Sequence, residues 1–300
     1  MYLWLARRHK IVMKIKNPKI LVCGSIVIDI ISKKKFYGGT AGNIAYGLGQ
    51  MKACPILFSL VGKDFKKYYG PHLKKLGIDL EVKINKKENT ARFSYSILEK
   101  GSSNEIWEPN AYKDIDNLSL TETINNNKLN DVAIAIFAPG SPTSTYKHMS
   151  EFKKFSPDAL IIFDPGQMTY FYTKNQFIDC MNIADVLILN NFEYKEISKI
   201  LGCDLVKFFE NLNKIIIRTK GADGGEIYKN NKLTKITAPK PKRVLDTMGA
   251  GDAYRAGMLF SLLKGKSIIS ACKFGAKIAS INVEYIGCQS YKIPKNILSL

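Results

Sequence analysis

The chain has 300 residues, 46% of them hydrophobic and 24% charged; that length buries a full core without staples, which excludes a disordered chain and a disulfide-held miniprotein. The formal net charge is +19, yet only Arg7, Arg8, Arg92, Arg218, Arg243 and Arg255 are arginine and the lysines are dispersed. Nucleic-acid readers rely on the bidentate arginine fork, so the charge reads as solvated lysine faces that attract a small anionic ligand, not as an RNA-binding surface.

Residues 1–12 (MYLWLARRHKIV) place apolar residues ahead of Arg7 and Arg8, the reverse of a secretory signal, and precede a second methionine, Met13. They are expected to form a flexible extension, with one folded domain at 13–300. From there β-branched apolar runs alternate with helix-like stretches. The runs lie at 20–28 (broken by Gly24), 56–61, 132–138, 160–163, 186–189 and 214–218, and turn residues follow them. The helix-like stretches lie at 41–51, 65–76, 175–181, 192–201 and 205–211, and two longer ones at 252–263 and 268–284 close the chain. Continuous apolar runs suit strands buried on both faces, and the alternation argues for a mostly parallel sheet with helices on both sides. One stretch differs. Residues 90–98 and 104–108 alternate polar and apolar around Gly101, the pattern of an antiparallel hairpin wetted on one face and expected to serve as a lid. In such a sheet ligands bind beyond the carboxyl ends of the strands. No apolar run approaches the roughly 18–20 residues that span a bilayer, so a cytoplasmic protein without a membrane partner is expected.

Cys23, Cys54, Cys180, Cys203, Cys272 and Cys288 form no C-x-x-C pair and read as reduced core residues. His9, His72 and His148 fall in no metal-ligand spacing, which speaks against a zinc enzyme or a triad hydrolase. Gly265-Lys266-Ser267 lacks the first glycine of a P-loop, and Gly249-Ala250-Gly251 lacks the last glycine of a dinucleotide fingerprint. The informative segment is Asp246-Thr247-Met248-Gly249-Ala250-Gly251-Asp252. Its small residues let a ligand approach the first amides of a helix, where the dipole favours an anion. A carboxylate there repels a resting phosphate unless it serves as general base toward a hydroxyl that attacks a phosphoryl group. A plain helix cap is the other reading of Asp252.

That segment resembles the D-T-x-G-A-G-D signature of the ribokinase-like (PfkB) family of carbohydrate and nucleoside kinases, and Gly38-Gly39-Thr40-Ala41-Gly42-Asn43 resembles the family's G-G-x-x-x-N. The resemblance runs from about Lys19 to about Pro294 with the motifs in family order. Phe163-Asp164-Pro165-Gly166-Gln167, Asp252-Ala253-Tyr254-Arg255-Ala256-Gly257 and Gly287-Cys288-Gln289 are most similar to the archaeal nucleoside-kinase branch. It implies a ribokinase-like three-layer α/β fold with a central, mostly parallel sheet and a small antiparallel β lid from about 30–38 and 90–109. By the same resemblance Asp252 is the catalytic base, Gly249, Ala250 and Gly251 form the anion hole, and Asp29, Gly39 and Asn43 hold the acceptor sugar. Asn190, Thr219, Lys220, Gly221 and Gly224 match nucleotide-binding positions. Asn190 and Glu193 match the pair that organises Mg²⁺ through waters, and Asp246 with Met248, Asn282 and Gly287 falls where many relatives hold a monovalent cation such as K⁺. The implied activity is ATP-dependent phosphorylation of the primary hydroxyl of a ribose-containing small molecule. A nucleoside is the first reading and a free sugar such as ribose or fructose the second. A nucleotide-binding regulator without catalysis is the reading from another class, and the intact 249–252 segment speaks against it. ADP as donor, and monomer against homodimer, stay open.

Two local features refine these expectations. Only eight residues, 30–37, separate Asp29 from Gly38, where relatives place a longer lid hairpin; the lid is therefore expected to shrink to the 90–108 hairpin plus a short connector. Lost cover favours an acceptor that carries its own aromatic base. Alternation puts Phe93 and Tyr95 on one strand face, where they and Phe36, Tyr37 and Trp107 are candidates to meet it. Arg255, three residues after Asp252 on the same helix face, is expected to pair with a buried acid such as Glu193.

Overall fold

The continuous apolar runs of the large sheet bury both strand faces, and the two faces feed two different cores; of the cysteines expected in the core, Cys54 and Cys203 are exposed instead, because both sit in the connections that follow helix ends. The computed structural model describes residues 17–97, 103–210 and 214–298; the 1–12 extension and the hairpin tip at Gly101 lie outside them. The strands are β1 (Lys19–Cys23), β2 (Val27–Ile31), β3 (Lys34–Gly38), β4 (Ile56–Gly62), β5 (Asp79–Asn85), β6 (Ala91–Ile97) and β7 (Ser103–Glu108), then β8 (Val132–Phe137), β9 (Leu160–Phe163), β10 (Val186–Asn190), β11 (Ile215–Thr219), β12 (Gly225–Lys229) and β13 (Lys232–Ile236).

The large sheet runs β13-β12-β11-β10-β9-β8-β1-β4-β5. It is parallel from β5 to β11 and antiparallel through β12 and β13. Ile20, Val22, Ile134, Ile136 and Ile188 face one core, closed by the helices Thr40–Gln50, Ala250–Leu263 and Ile268–Asn282. Leu21, Cys23, Ala135, Phe137 and Leu187 face the other, closed by the helices Pro142–Phe155, Lys174–Ile183 and Asn191–Leu201. Both faces are buried, which is why these strands read as unbroken apolar runs. The chain builds outward from β1 to β4 and β5, then returns to add β8 and its successors on the other side, so strand order reverses at β1 and leaves a crevice at the carboxyl ends there.

The second sheet, β3-β2-β6-β7, corrects the expected lid. The short connector is itself a hairpin: β2 and β3 pair antiparallel across a turn in which Ser32 and Lys33 have φ of 48° and 66°. Four strands therefore stand where one hairpin and a connector were expected. The sheet is not wholly antiparallel either, because β2 and β6 pair in parallel. Within it Phe36, Asp29, Phe93 and Trp107 are successive partners across the strands, so these side chains share one face. Tyr37 lies on the opposite face. Among the described residues no helix is long and apolar enough to cross a membrane.

Candidate active site

Asp252 sits in the first turn of the helix Ala250–Leu263, and Gly249 caps that helix at φ 77°. A side chain at 249 would meet the Cys288 Cβ at 2.9 Å, so both backbone hand and space require glycine. The expected anion-hole amides open this helix, where no intrahelical carbonyl precedes them; that of Ala250 also reaches the Thr247 carbonyl at 3.3 Å. Asn43 lies near the start of the helix Thr40–Gln50, whose N-cap is Gly39. Its Nδ2 donates to Asp252 Oδ2 at 2.8 Å across 209 residues of sequence, so the two signature segments meet in one hydrogen bond.

Asp29 points from β2 into the same region and is 8% exposed. A Cβ at Gly38 would collide with the Asp29 carboxylate, so the bare glycine of β3 makes the seat for that side chain. Burial, and then the charge of Asp252, pushes the Asp29 pKa up to about 7. Burial also lifts Asp252 to about 6, against the pull of the Arg255 guanidinium and the Asn43 hydrogen bond. A carboxylate poised there is a competent base near neutral pH.

Arg255 does pair with a buried acid, but the acid is Asp164 and not Glu193. Arg255 Nε and Nη2 reach the two Asp164 oxygens at 2.5 and 2.7 Å, and Nη1 donates to the Gly251 carbonyl at 3.1 Å. Glu193 instead caps its own helix: its oxygens accept from the Asn190 amide and Nδ2 at 2.7 Å each, in a reciprocal cap of the helix Asn191–Leu201. Burial raises Glu193 to about 7, opposed by the charge of Arg255.

Asn190 and Thr219 end β10 and β11 side by side. The turn after Thr219 closes through the Gly224 amide to the Gly221 carbonyl at 3.0 Å. The Lys220 ammonium is tied to Glu226 at 3.0 Å, so this lysine braces the turn, and its amide, which donates to the Gly224 carbonyl, is part of the same brace.

Asn190 is exposed at its strand end, and each Glu193 oxygen keeps a lone pair beyond the capping bond. That pair suits waters around Mg²⁺ and not direct coordination; among the described residues no three acidic, His or Cys groups cluster as direct ligands. Asp246 draws two loops together by accepting from the Met248 amide at 2.9 Å and the Gly287 amide at 2.8 Å. The oxygens expected to join Asp246 are the backbone carbonyls of Met248, Asn282 and Gly287, of which that of Asn282 also accepts from the Tyr285 amide at 3.0 Å and that of Gly287 from the Ser290 hydroxyl at 3.1 Å. A carboxylate and backbone carbonyls are hard oxygen donors of the type an alkali ion takes.

Three residues escaped the sequence reading. Asp164 and Gln289 appear there only within segments that carry the resemblance, and Tyr69 carries no signal. Each depends on a partner far away in sequence, and a buried polar residue beside a motif was the one available clue.

Residues 17–296 match the family described as pfkB family carbohydrate kinase. The chain belongs to this family. It is 32% identical to a nucleoside kinase of Methanocaldococcus jannaschii over 274 residues, 88% of this chain and 84% of that one. It is 28% identical to an ATP-dependent 6-phosphofructokinase of Thermoanaerobacterium thermosaccharolyticum, covering 93% and 92% of the two chains. The crystal structure of the Methanocaldococcus jannaschii nucleoside kinase, an archaeal member of the ribokinase family, superposes with a TM-score of 0.84 at 28% identity, over 93% of this chain and 96% of that one. As a pfkB family member the chain is a phosphotransferase with the ribokinase-like fold.

Proposed function

We propose that this kinase transfers the γ-phosphoryl group of ATP to the primary hydroxyl of a nucleoside. The observation that carries the reading is the meeting of Asp252, Asn43 and the Asp29 row of the small sheet at one crevice. Asp29 accepts hydrogen bonds from the two ribose hydroxyls, with Gly39 leaving room for the ring. Asp252 takes the proton of the primary hydroxyl as its oxygen attacks in line, and the amides of Gly249, Ala250 and Gly251 receive the charge that develops on the phosphoryl oxygens. Thr219, Gly221 and Gly224 border the nucleotide. Asn190 and Glu193 would hold Mg²⁺ through waters, where the ion would supply charge neutralisation at the phosphates, and the Asp246 loops would hold K⁺ in the same reading.

The acceptor assignment rests on similarity to a nucleoside kinase and on the aromatic row. Phe93 lies directly beside Asp29 in register, with Trp107 beyond it and Phe36 on the other side. Trp107 is 48% exposed, an expensive place for an indole unless a ring covers it. The small sheet would then act as a lid that a nucleobase completes. A coupled kinase assay over nucleosides, ribose and fructose tests this. At least one nucleoside is expected to exceed ribose in kcat/KM by about tenfold or more, as stacking worth ~1–3 kcal/mol allows. Phe93→Ala or Trp107→Ala should weaken nucleosides more than ribose. A free sugar that outperforms every nucleoside would remove the acceptor assignment and leave the kinase intact.

A further inference from the structure

Asp252 is held by Asn43, and an asparagine amide has two nearly isosteric orientations: one offers Nδ2 to a carboxylate, the other a repelling oxygen. The choice is made elsewhere. The Gly38 carbonyl can only accept, and the Tyr69 hydroxyl donates to it at 2.7 Å. The Tyr69 oxygen is then left to accept, and it does so from Gln289 Nε2. The second hydrogen of the same Nε2 goes to Asn43 Oδ1 at 2.8 Å. Asn43 Nδ2 is thereby turned toward Asp252 Oδ2, at 2.8 Å. On the far side Gln289 Oε1 lies 3.1 Å from His72 Nε2, which must carry a proton to complete the bond. His72 is fixed in turn by stacking on Tyr37, 3.9 Å between centroids and 3° between planes.

The donors diverge from Gln289 Nε2: one branch ends at the Gly38 carbonyl, which cannot flip and so fixes the amide, and the other ends at Asp252. Tyr69, Gln289 and Asn43 are all under 9% exposed, so water is poorly placed to substitute for a lost partner. A Cβ at Gly42 would meet the Tyr69 hydroxyl oxygen at 2.5 Å, so the chain also explains why small residues lie beside Asn43.

We propose that Gln289 is a positioning residue for phosphoryl transfer: clamped by Tyr69 and His72, its amide sets the orientation of Asn43 and thereby which Asp252 oxygen is left to face the acceptor hydroxyl. The proposal rests on Asp252 being the base. It adds that the geometry of the base is anchored at Gly38, the residue that seats Asp29, so acceptor side and base share one rigid reference.

A double-mutant cycle in the full chain tests it, with MgATP and the best acceptor of the panel. Gln289→Met keeps the volume and removes both donors. It is expected to lower kcat about 10- to 100-fold, as misplacement of a reacting group does, while KM for ATP stays within about twofold. In an Asn43→Ala background the same substitution should change kcat by less than about twofold, because its effect passes through Asn43. His72→Phe keeps the stack on Tyr37 and removes the donor to Oε1; it serves if Gln289→Met fails to fold, with a smaller loss that also vanishes in Asn43→Ala. Losses that multiply in the Asn43→Ala background would overturn the positioning role. A wild-type kcat in folded Gln289→Met would do the same. Should Asp252→Asn retain full activity, the underlying kinase mechanism fails instead, which the same plate distinguishes.

Discussion

Arg255→Met removes the guanidinium from a pocket that holds Asp164 at 0% exposure and Glu193 at 6%. In the native chain Arg255 is bidentate to Asp164 at 2.5 and 2.7 Å, and its charge also restrains the rise of Glu193, which burial lifts to about 7. Breaking a buried pair by removing one partner costs about 3–5 kcal/mol. With an unfolding entropy of about 2.1 cal/mol/K per residue, a chain of this size loses roughly 5–8 °C in Tm. The loss has a direction in pH. Without Arg255 both carboxyls have folded-state pKa values raised above their unfolded ones. The native state then binds protons the unfolded state does not, so stability is present at low pH and lost as pH rises through the folded values. The variant should therefore sit closest to wild type near pH 5.5 and fall furthest behind near pH 8 in differential scanning fluorimetry. A penalty equal at both pH values, or larger in acid, would refute the reasoning. Activity should drop as well, because Arg255 Nη1 holds the Gly251 carbonyl at 3.1 Å.

Asp252→Asn should keep ATP and acceptor binding by calorimetry and lose about 10²–10⁴-fold in kcat, the usual worth of a general base; a variant with a tenth of wild-type turnover would remove Asp252 from that role. Gly38→Ala should displace the Asp29 carboxylate and raise the acceptor KM about 10- to 100-fold, the cost of charged hydrogen bonds, with KM for ATP unchanged in steady-state assays. The free-enzyme profile of kcat/KM should fall as pH drops below about 7, since Asp252 at about 6 and Asp29 at about 7 act as carboxylates and titrate together. A profile flat down to pH 5 would contradict both assignments.

Most of the parallel part of the large sheet was legible because β1, β4, β8, β9, β10 and β11 are buried on both faces and carry almost no polar residue before their ends, Ser59 in β4 excepted. What was missed lies where burial is partial. β5 (Asp79–Asn85) pairs with β4 alone, and Glu81 and Lys83 break its apolar run. β3 begins Lys34-Lys35 on a sheet edge and read as connector. The helix Pro142–Phe155 is nearly all polar outside Met149, Phe152 and Phe155, and its capping Ser141 with Pro142 behind it was the one signal present. The expected helix at 65–76 is helical only over Tyr69–Lys74, because turns occupy the residues before it. The site was legible where a motif is contiguous, as at 246–252, and opaque where it is assembled. Arg255 and Asp164 are 91 residues apart, and Gln289 and Tyr69 220 apart, so nothing in local pattern names one from the other.

The order of strands also divides labour along the gene. Asp29, Gly38, Asn43, Phe93 and Trp107 all fall before residue 110, while Asn190, Thr219 and the 246–252 segment come after β9. The two groups touch where Asn43 meets Asp252 and where Gly47, backed against the Ala256 methyl, lets two helices close. On the proposed assignment, a sheet that reverses at β1 keeps the acceptor-side and phosphate-side residues on largely separate stretches of chain. Acceptor preference can then drift, one alcohol exchanged for another, by substitutions on the small sheet, at Phe93 and Trp107 for instance, without rebuilding the catalyst, whereas Gly38, Asn43, Tyr69 and His72 in the same stretch orient the base. The seam at Asn43 is the place where such an exchange must be respected.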